Sequence, residues 1–201
     1  EHTIHHTGAR GIAIVVDSGA DIPVEYENEI QVVPVRYSFG NQQHIDKVTQ
    51  TTKEFYQQME IDSNHPKTSQ PTPGDFKKIY NFISSHYNSI ISIHLSKKVS
   101  GTFQSGLNAS KNIKIKNIKV IDSYSASVGL GLLAIYAVDL KQNGKSYNQI
   151  IKSIDKEKDN IQLFLLLNDL TYITRGGRLP SEIKTIANLF KLTPVLGNKR
   201  G

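Results

Sequence analysis

Apolar and polar positions alternate in two distinct periods along the chain. Ile12-Ala13-Ile14-Val15-Val16 is continuous and β-branched, the pattern of a strand buried on both faces. It ends in a polar turn, Asp17-Ser18-Gly19-Ala20-Asp21-Ile22-Pro23. A second strand is predicted from Gln31 to Tyr37, with Pro34 placing part of it at an edge or bulge. Ile90–Leu95, Ile118–Asp122 and Gln162–Leu167 predict three more. Between these runs the period lengthens. Thr51 with Glu54 forms a capping box for a helix that buries Phe55 and Met59. Thr72-Pro73-Gly74-Asp75 starts another, with Phe76, Ile79, Tyr80 and Ile83 on one face. Further helices are expected from Ser100 to about Lys111, from Val128 to Leu140 with Gly144 closing the end, and from Tyr147 to about Lys156. Strands alternating with helices call for an α/β fold, a parallel sheet covered by helices on both faces.

Composition narrows the chemistry. The 201 residues include no cysteine, which removes thiol nucleophiles, disulfides and Cys-ligated metals. No apolar run approaches a membrane-spanning length or a signal-peptide core, so a cytoplasmic protein is the simplest reading. The formal charge of +6 would suit a nucleic acid, but the lysines are scattered. Their densest cluster, Lys111, Lys114, Lys116 and Lys119, alternates with isoleucines and has no neighbouring aromatic to stack on a base. A solvated face is expected, with no nucleic-acid partner. His2, His5 and His6 lie in a leader or tag-like segment, residues 1–11, without acidic partners for a metal.

Two short hydroxyl motifs carry the candidate chemistry, Thr68-Ser69-Gln70-Pro71 and Ser100-Gly101-Thr102. Each lies ahead of a predicted helix start. Hydroxyls there serve either as caps or, with the free N–H groups of the helix end, as ligands of a carboxylate or phosphate. In a parallel sheet, ligands sit beyond the carboxyl ends of the strands. The turn after Val16, the Ser100 loop and the Ser123 loop therefore meet at one crevice. Asp17 is expected to brace its turn and Asp21 to cap the next segment, and His94 to be a packed histidine. A serine-dependent hydrolase or phosphotransferase using Ser100 or Ser123 is the alternative. It lacks a Gly-x-Ser-x-Gly elbow and a Walker loop. Arg175 and Arg178 flank Gly176-Gly177, where they either face an acidic partner or offset the dipole of the helix before them.

These landmarks occur in a specific order. Asp17-Ser18 with Asp21, Val33-Pro34, Lys67-Thr68-Ser69-Gln70-Pro71, Ser96 to Thr102, Asp122-Ser123, Gly129-Leu130-Gly131 and Gly176-Gly177-Arg178 together resemble the DegV family of bacterial fatty-acid-binding proteins. The resemblance implies a two-lobed α/β protein that encloses one long-chain fatty acid and is not itself an enzyme. By motif match, the carboxylate meets hydroxyls of Thr68, Ser69, Ser100 and Thr102. No metal, catalytic residue or cofactor is implied beyond the bound acid. The resemblance also implies an ATP-binding fatty acid kinase subunit as partner, which makes an acyl phosphate for phospholipid synthesis. Arg175 and Arg178 would then serve partner docking, with transient contact to a membrane surface. The N-terminal lobe is expected over 12–160. The second lobe begins at 161, and the family pattern continues well beyond Gly201, so this lobe is expected to be incomplete here.

Overall fold

The computed structural model describes residues 11–167, 169–189 and 193–198, so the leader segment lies outside the described residues apart from Gly11. Four strands, β1 (Ile12–Asp17), β2 (Ile30–Val33), β6 (Ser89–His94) and β7 (Asn117–Asp122), form a parallel sheet in the order β2-β1-β6-β7. Alternate residues of each strand point to opposite faces. Ile14, Val16, Ile91 and Ile93 therefore meet Leu130, Leu133 and Ala134 of α4 (Ser127–Gln142), together with Ile150 and Ile154 of α5 (Tyr147–Glu157). Ala13, Val15 and Ile90 meet Phe76, Tyr80 and Ile83 of α2 (Pro73–Ser84) and Ala109 of α3 (Thr102–Ser110). Burial on both faces explains the continuous apolar runs of β1 and β6.

The strand expected from Gln31 to Tyr37 is two strands in two sheets. β2 ends at Val33, and β3 (Arg36–Phe39) belongs to an antiparallel sheet of order β4-β3-β5, with β4 at Gln42–Ile45 and β5 at Lys67–Ser69. Pro34 sits at the break, where the missing N–H costs no ladder bond. The crossing is held by Ser18, whose N–H donates to the Val33 carbonyl and whose hydroxyl accepts from the Val35 N–H, both at 3.0 Å. β4 and β5 are too short and polar to show a strand period.

α1 (Thr52–Ile61) has the expected Thr51–Glu54 capping box, but it buries no residue fully. Phe55 and Met59 are only half-buried because they line a groove instead of the core. Beyond α5, β8 (Leu163–Leu166) pairs antiparallel with β9 (Val195–Asn198), accompanied by α6 (Thr171–Arg175) and α7 (Ser181–Leu189).

Candidate functional site

Because β1, β6 and β7 are neighbouring parallel strands, their carboxyl ends bring three loops into contact, as the sequence predicts. One Asp17 oxygen accepts the Gly19 N–H at 3.0 Å, and the other accepts the Leu95 N–H at 2.9 Å and faces His94 Nδ1 at 3.0 Å. The Ser96 N–H donates to the Ser125 carbonyl at 2.9 Å. Asp17 thus braces its turn, as expected. Asp21 does not cap the next segment: its carboxylate accepts from the Ser127 hydroxyl, 106 residues away, at 2.5 Å. His94 is fully buried, in keeping with a packed histidine.

The two hydroxyl motifs also meet, through Gln70, a residue whose role the local sequence does not predict. The Gln70 side chain lies over Gly101 and donates to the Ser105 hydroxyl at 3.2 Å. A Cβ on residue 101 would stand 1.9 Å from Gln70 Oε1, so glycine is what lets the motifs touch. Thr68 and Ser69 themselves are not at a helix end. They lie in β5, opposite Tyr37 and Arg36, and as neighbours in a strand they face opposite sides. The α2 cap is Thr72, whose box partner Asp75 already places a carboxylate at that end. At α3 the N-cap is Gly101, with no side-chain cap and no acid in the first turn. There the Ser100 hydroxyl accepts the Thr102 N–H at 3.2 Å and pairs with the Thr102 hydroxyl at 2.8 Å. Ser100 is half-buried, and Thr102 is fully buried.

Thr68 opens onto a groove of about 820 Å3 between the antiparallel sheet, α1, β8 and α6. Val35, Phe55, Met59, Leu165, Leu167 and Ile173 give it an apolar lining. Among the described residues, Ser69, Ser100 and Thr102 do not line it. Its polar margin holds Lys47, Lys67, His65, Arg175 and Arg178. His65 stacks on Tyr172 of α6 with ring centroids 5.1 Å apart, which ties the loop after α1 to α6 across the groove. Burial, with Arg175 and Lys67 nearby, holds the His65 imidazole below its usual range. Nothing in the local sequence marks His65 or Tyr172, because their pairing spans two elements far apart in the chain.

Arg175 and Arg178 both reach this groove. Arg178 also donates to the Gly176 carbonyl at the C-terminal end of α6, and its N–H bonds to the Ile173 carbonyl at 3.1 Å. Gly177, at φ +74°, supplies the left-handed residue that this ending requires. Dipole compensation is therefore present at Arg178, and groove lining at both.

Nucleophile geometry is poor. The Ser123 hydroxyl is buried and donates to the Ser125 carbonyl at 3.1 Å, while Ser100 is engaged with Thr102. Ser92, His94 and Asp17 are linked in the order of a hydrolytic triad, but all are sealed at 0% exposure beneath α2. Among the described residues, no group of three or more His, Asp or Glu side chains gathers to hold a metal, and no helix is long and apolar enough to cross a membrane.

The sequence pattern of the family described as uncharacterised protein, DegV family, matches residues 11–201. The DegV domain-containing protein SAR1438 of Staphylococcus aureus is 37% identical over 184 residues, which cover 90% of this chain. The chain spans 65% of that curated relative's length. In three dimensions it is similar to the Bacillus subtilis DegV, a fatty acid binding protein, with a TM-score of 0.84 and 31% identity over 95% of this chain and 69% of that one. It shares a fold with the Streptococcus pneumoniae Fatty Acid Kinase B3 protein loaded with linoleic acid, at a TM-score of 0.83 and 22% identity over 93% of this chain and 68% of that one. Agreement of sequence and fold along the same stretch leaves one assignment: the chain belongs to the DegV family.

Proposed function

We propose that the chain binds a long-chain fatty acid, with its tail along the apolar groove and its carboxylate at the junction of the two hydroxyl motifs. The observation that carries this reading is the groove itself. Its volume of about 820 Å3 and its apolar walls suit an acyl chain, and the motif of Thr68 on its wall meets the Ser100-Gly101-Thr102 motif where Gln70 lies over Gly101. A buried carboxylate needs donors, because leaving it unpaired costs several kcal/mol. The Thr68 and Ser100 hydroxyls and the acid-free N-terminus of α3 are such donors, whereas α2 presents its own Asp75. Ser69, on the opposite side of β5 from Thr68, has the weakest claim of the four hydroxyls.

Neutral donors leave the head group transferable, and the chain is then a non-catalytic carrier that presents its acid to a separate ATP-binding kinase subunit. Arg175 and Arg178 at the groove margin are the docking residues on this reading. The fold shared with the pneumococcal kinase B3 protein supports the role.

Organic extraction of the purified protein followed by mass spectrometry is expected to release a long-chain fatty acid. Ser100→Ala is expected to weaken binding by about 1.5–3 kcal/mol, the worth of one hydrogen bond to a charged group. Absence of any acid in the extract and of binding to added acids overturns the reading. An unchanged affinity in a folded Ser100→Ala variant reduces Ser100 to a local hydrogen-bond partner of Thr102.

A further inference from the structure

Beneath the α3 motif runs a buried polar chain. Tyr80 donates to Ser92 Oγ at 2.8 Å, Ser92 Oγ lies 2.6 Å from His94 Nε2, and His94 Nδ1 lies 3.0 Å from Asp17. All four residues are fully buried. The direction of the chain follows from its end. A carboxylate only accepts, so in the neutral imidazole Nδ1 carries the proton and Nε2 accepts from Ser92, which is free to accept from Tyr80. Burial pushes the Tyr80 phenol well above its usual range and keeps it a donor.

A polar chain sealed between a sheet and a helix is an expensive way to fill a core that aliphatic side chains would fill at least as well. Its two borders show what it holds. At one, Asp17 fixes the Leu95 N–H, the first bond of the loop that ends in Ser100-Gly101-Thr102. At the other, Gly106 of α3 packs on the chain: a Cβ there would lie 3.1 Å from the Tyr80 hydroxyl and 3.4 Å from His94 Cδ2. The chain therefore touches the segment before the Ser-Gly-Thr motif and the helix after it. Gln70 closes the same unit from the other motif by bonding Ser105, the residue next to Gly106.

We infer that Asp17, His94, Ser92 and Tyr80 are positioning residues for the carboxylate site, holding loop 95–101 and the start of α3 in the geometry that aims the Ser100 and Thr102 hydroxyls. The inference rests on the fatty-acid reading for what the hydroxyls bind, and on geometry alone for what the chain positions.

The test uses the full chain and three variants. Asp17→Asn keeps shape but weakens the acceptor. Tyr80→Phe removes one hydroxyl at the far end. Ile154→Val, in the core on the other face of the sheet, serves as a control matched in unfolding midpoint. Amide hydrogen exchange is followed at residues 95–102 without ligand, and oleate affinity is measured on each folded protein. Faster exchange at 95–102 in Asp17→Asn and Tyr80→Phe, but not in Ile154→Val, is expected, with oleate affinity reduced about tenfold in Asp17→Asn and Tyr80→Phe alone. Exchange that follows overall stability equally in all three overturns the positioning role, and so does altered exchange with unaltered oleate affinity. Tyr80→Phe keeps the test decisive where Asp17→Asn fails to fold. If the unmodified chain binds no oleate, the fatty-acid reading fails, and the exchange data alone still decide whether the chain positions the loop.

Discussion

Asp75 shows how much one side chain integrates. Burial pushes its carboxyl up, but the Thr72 N–H, the Arg36 guanidinium at 2.9 Å and the Thr72 hydroxyl outweigh this and hold it below the ordinary value of 3.8. A folded-state pKa depressed in this way contributes stability above the unfolded value, and the contribution is lost as pH falls through the folded one. Asp75→Asn is therefore expected to flatten part of the decline in stability below the ordinary aspartate value of 3.8, measured as urea midpoints across acidic pH. Parallel curves for the two proteins would show that Asp75 contributes nothing by its charge. The Thr72–Asp75 and Thr51–Glu54 boxes were legible in the sequence because their partners lie three residues apart. Gln70 with Ser105 and Asp17 with His94 were not, being separated by 35 and 77 residues.

At the scale of elements, close approach decides which substitutions matter. A Cβ on Gly131 of α4 would stand 2.1 Å from the Asp21 carbonyl oxygen, a backbone atom held by the Asp21 N–H bond to Ser127 at 3.3 Å. Gly131→Ala must push α4 off the turn after β1, and it is expected to destabilise the protein by about 1–3 kcal/mol. Gly74, in the first turn of α2, meets only the Thr72 hydroxyl at 3.5 Å. Gly74→Ala is expected to stabilise by about 0.4–1 kcal/mol through the unfolded chain. Thermal denaturation of both variants separates the two effects, and equal shifts would contradict this assignment. The strands and helices of the parallel sheet were legible because burial on both faces writes long apolar runs into the chain. The antiparallel sheet was not: β4 and β5 are short, and their register comes from pairing with β3.

For the whole molecule, an aromatic contact joins two elements that line the groove. The His65–Tyr172 stack joins the loop after α1 to α6, and such pairs are worth about 0.5–1.5 kcal/mol. On the proposed fatty-acid reading, Tyr172→Ala is expected to leave the parallel sheet intact while speeding fatty-acid release by up to about tenfold, measured by competition with a fluorescent fatty acid. An unchanged release rate would mean that the stack does not hold the groove shut. By itself the sequence determined the parallel sheet, the capped helices and the ordered motifs of the family, because these depend on period and on neighbours within a turn. Tertiary structure alone decided that Pro34 passes the chain from one sheet to another, that Phe55 and Met59 line a groove rather than a core, and that Thr68 faces it. Only folding brings Gln70 over Gly101 and Asp17 to His94, since contacts between distant residues depend on how the elements pack and leave no period in the chain.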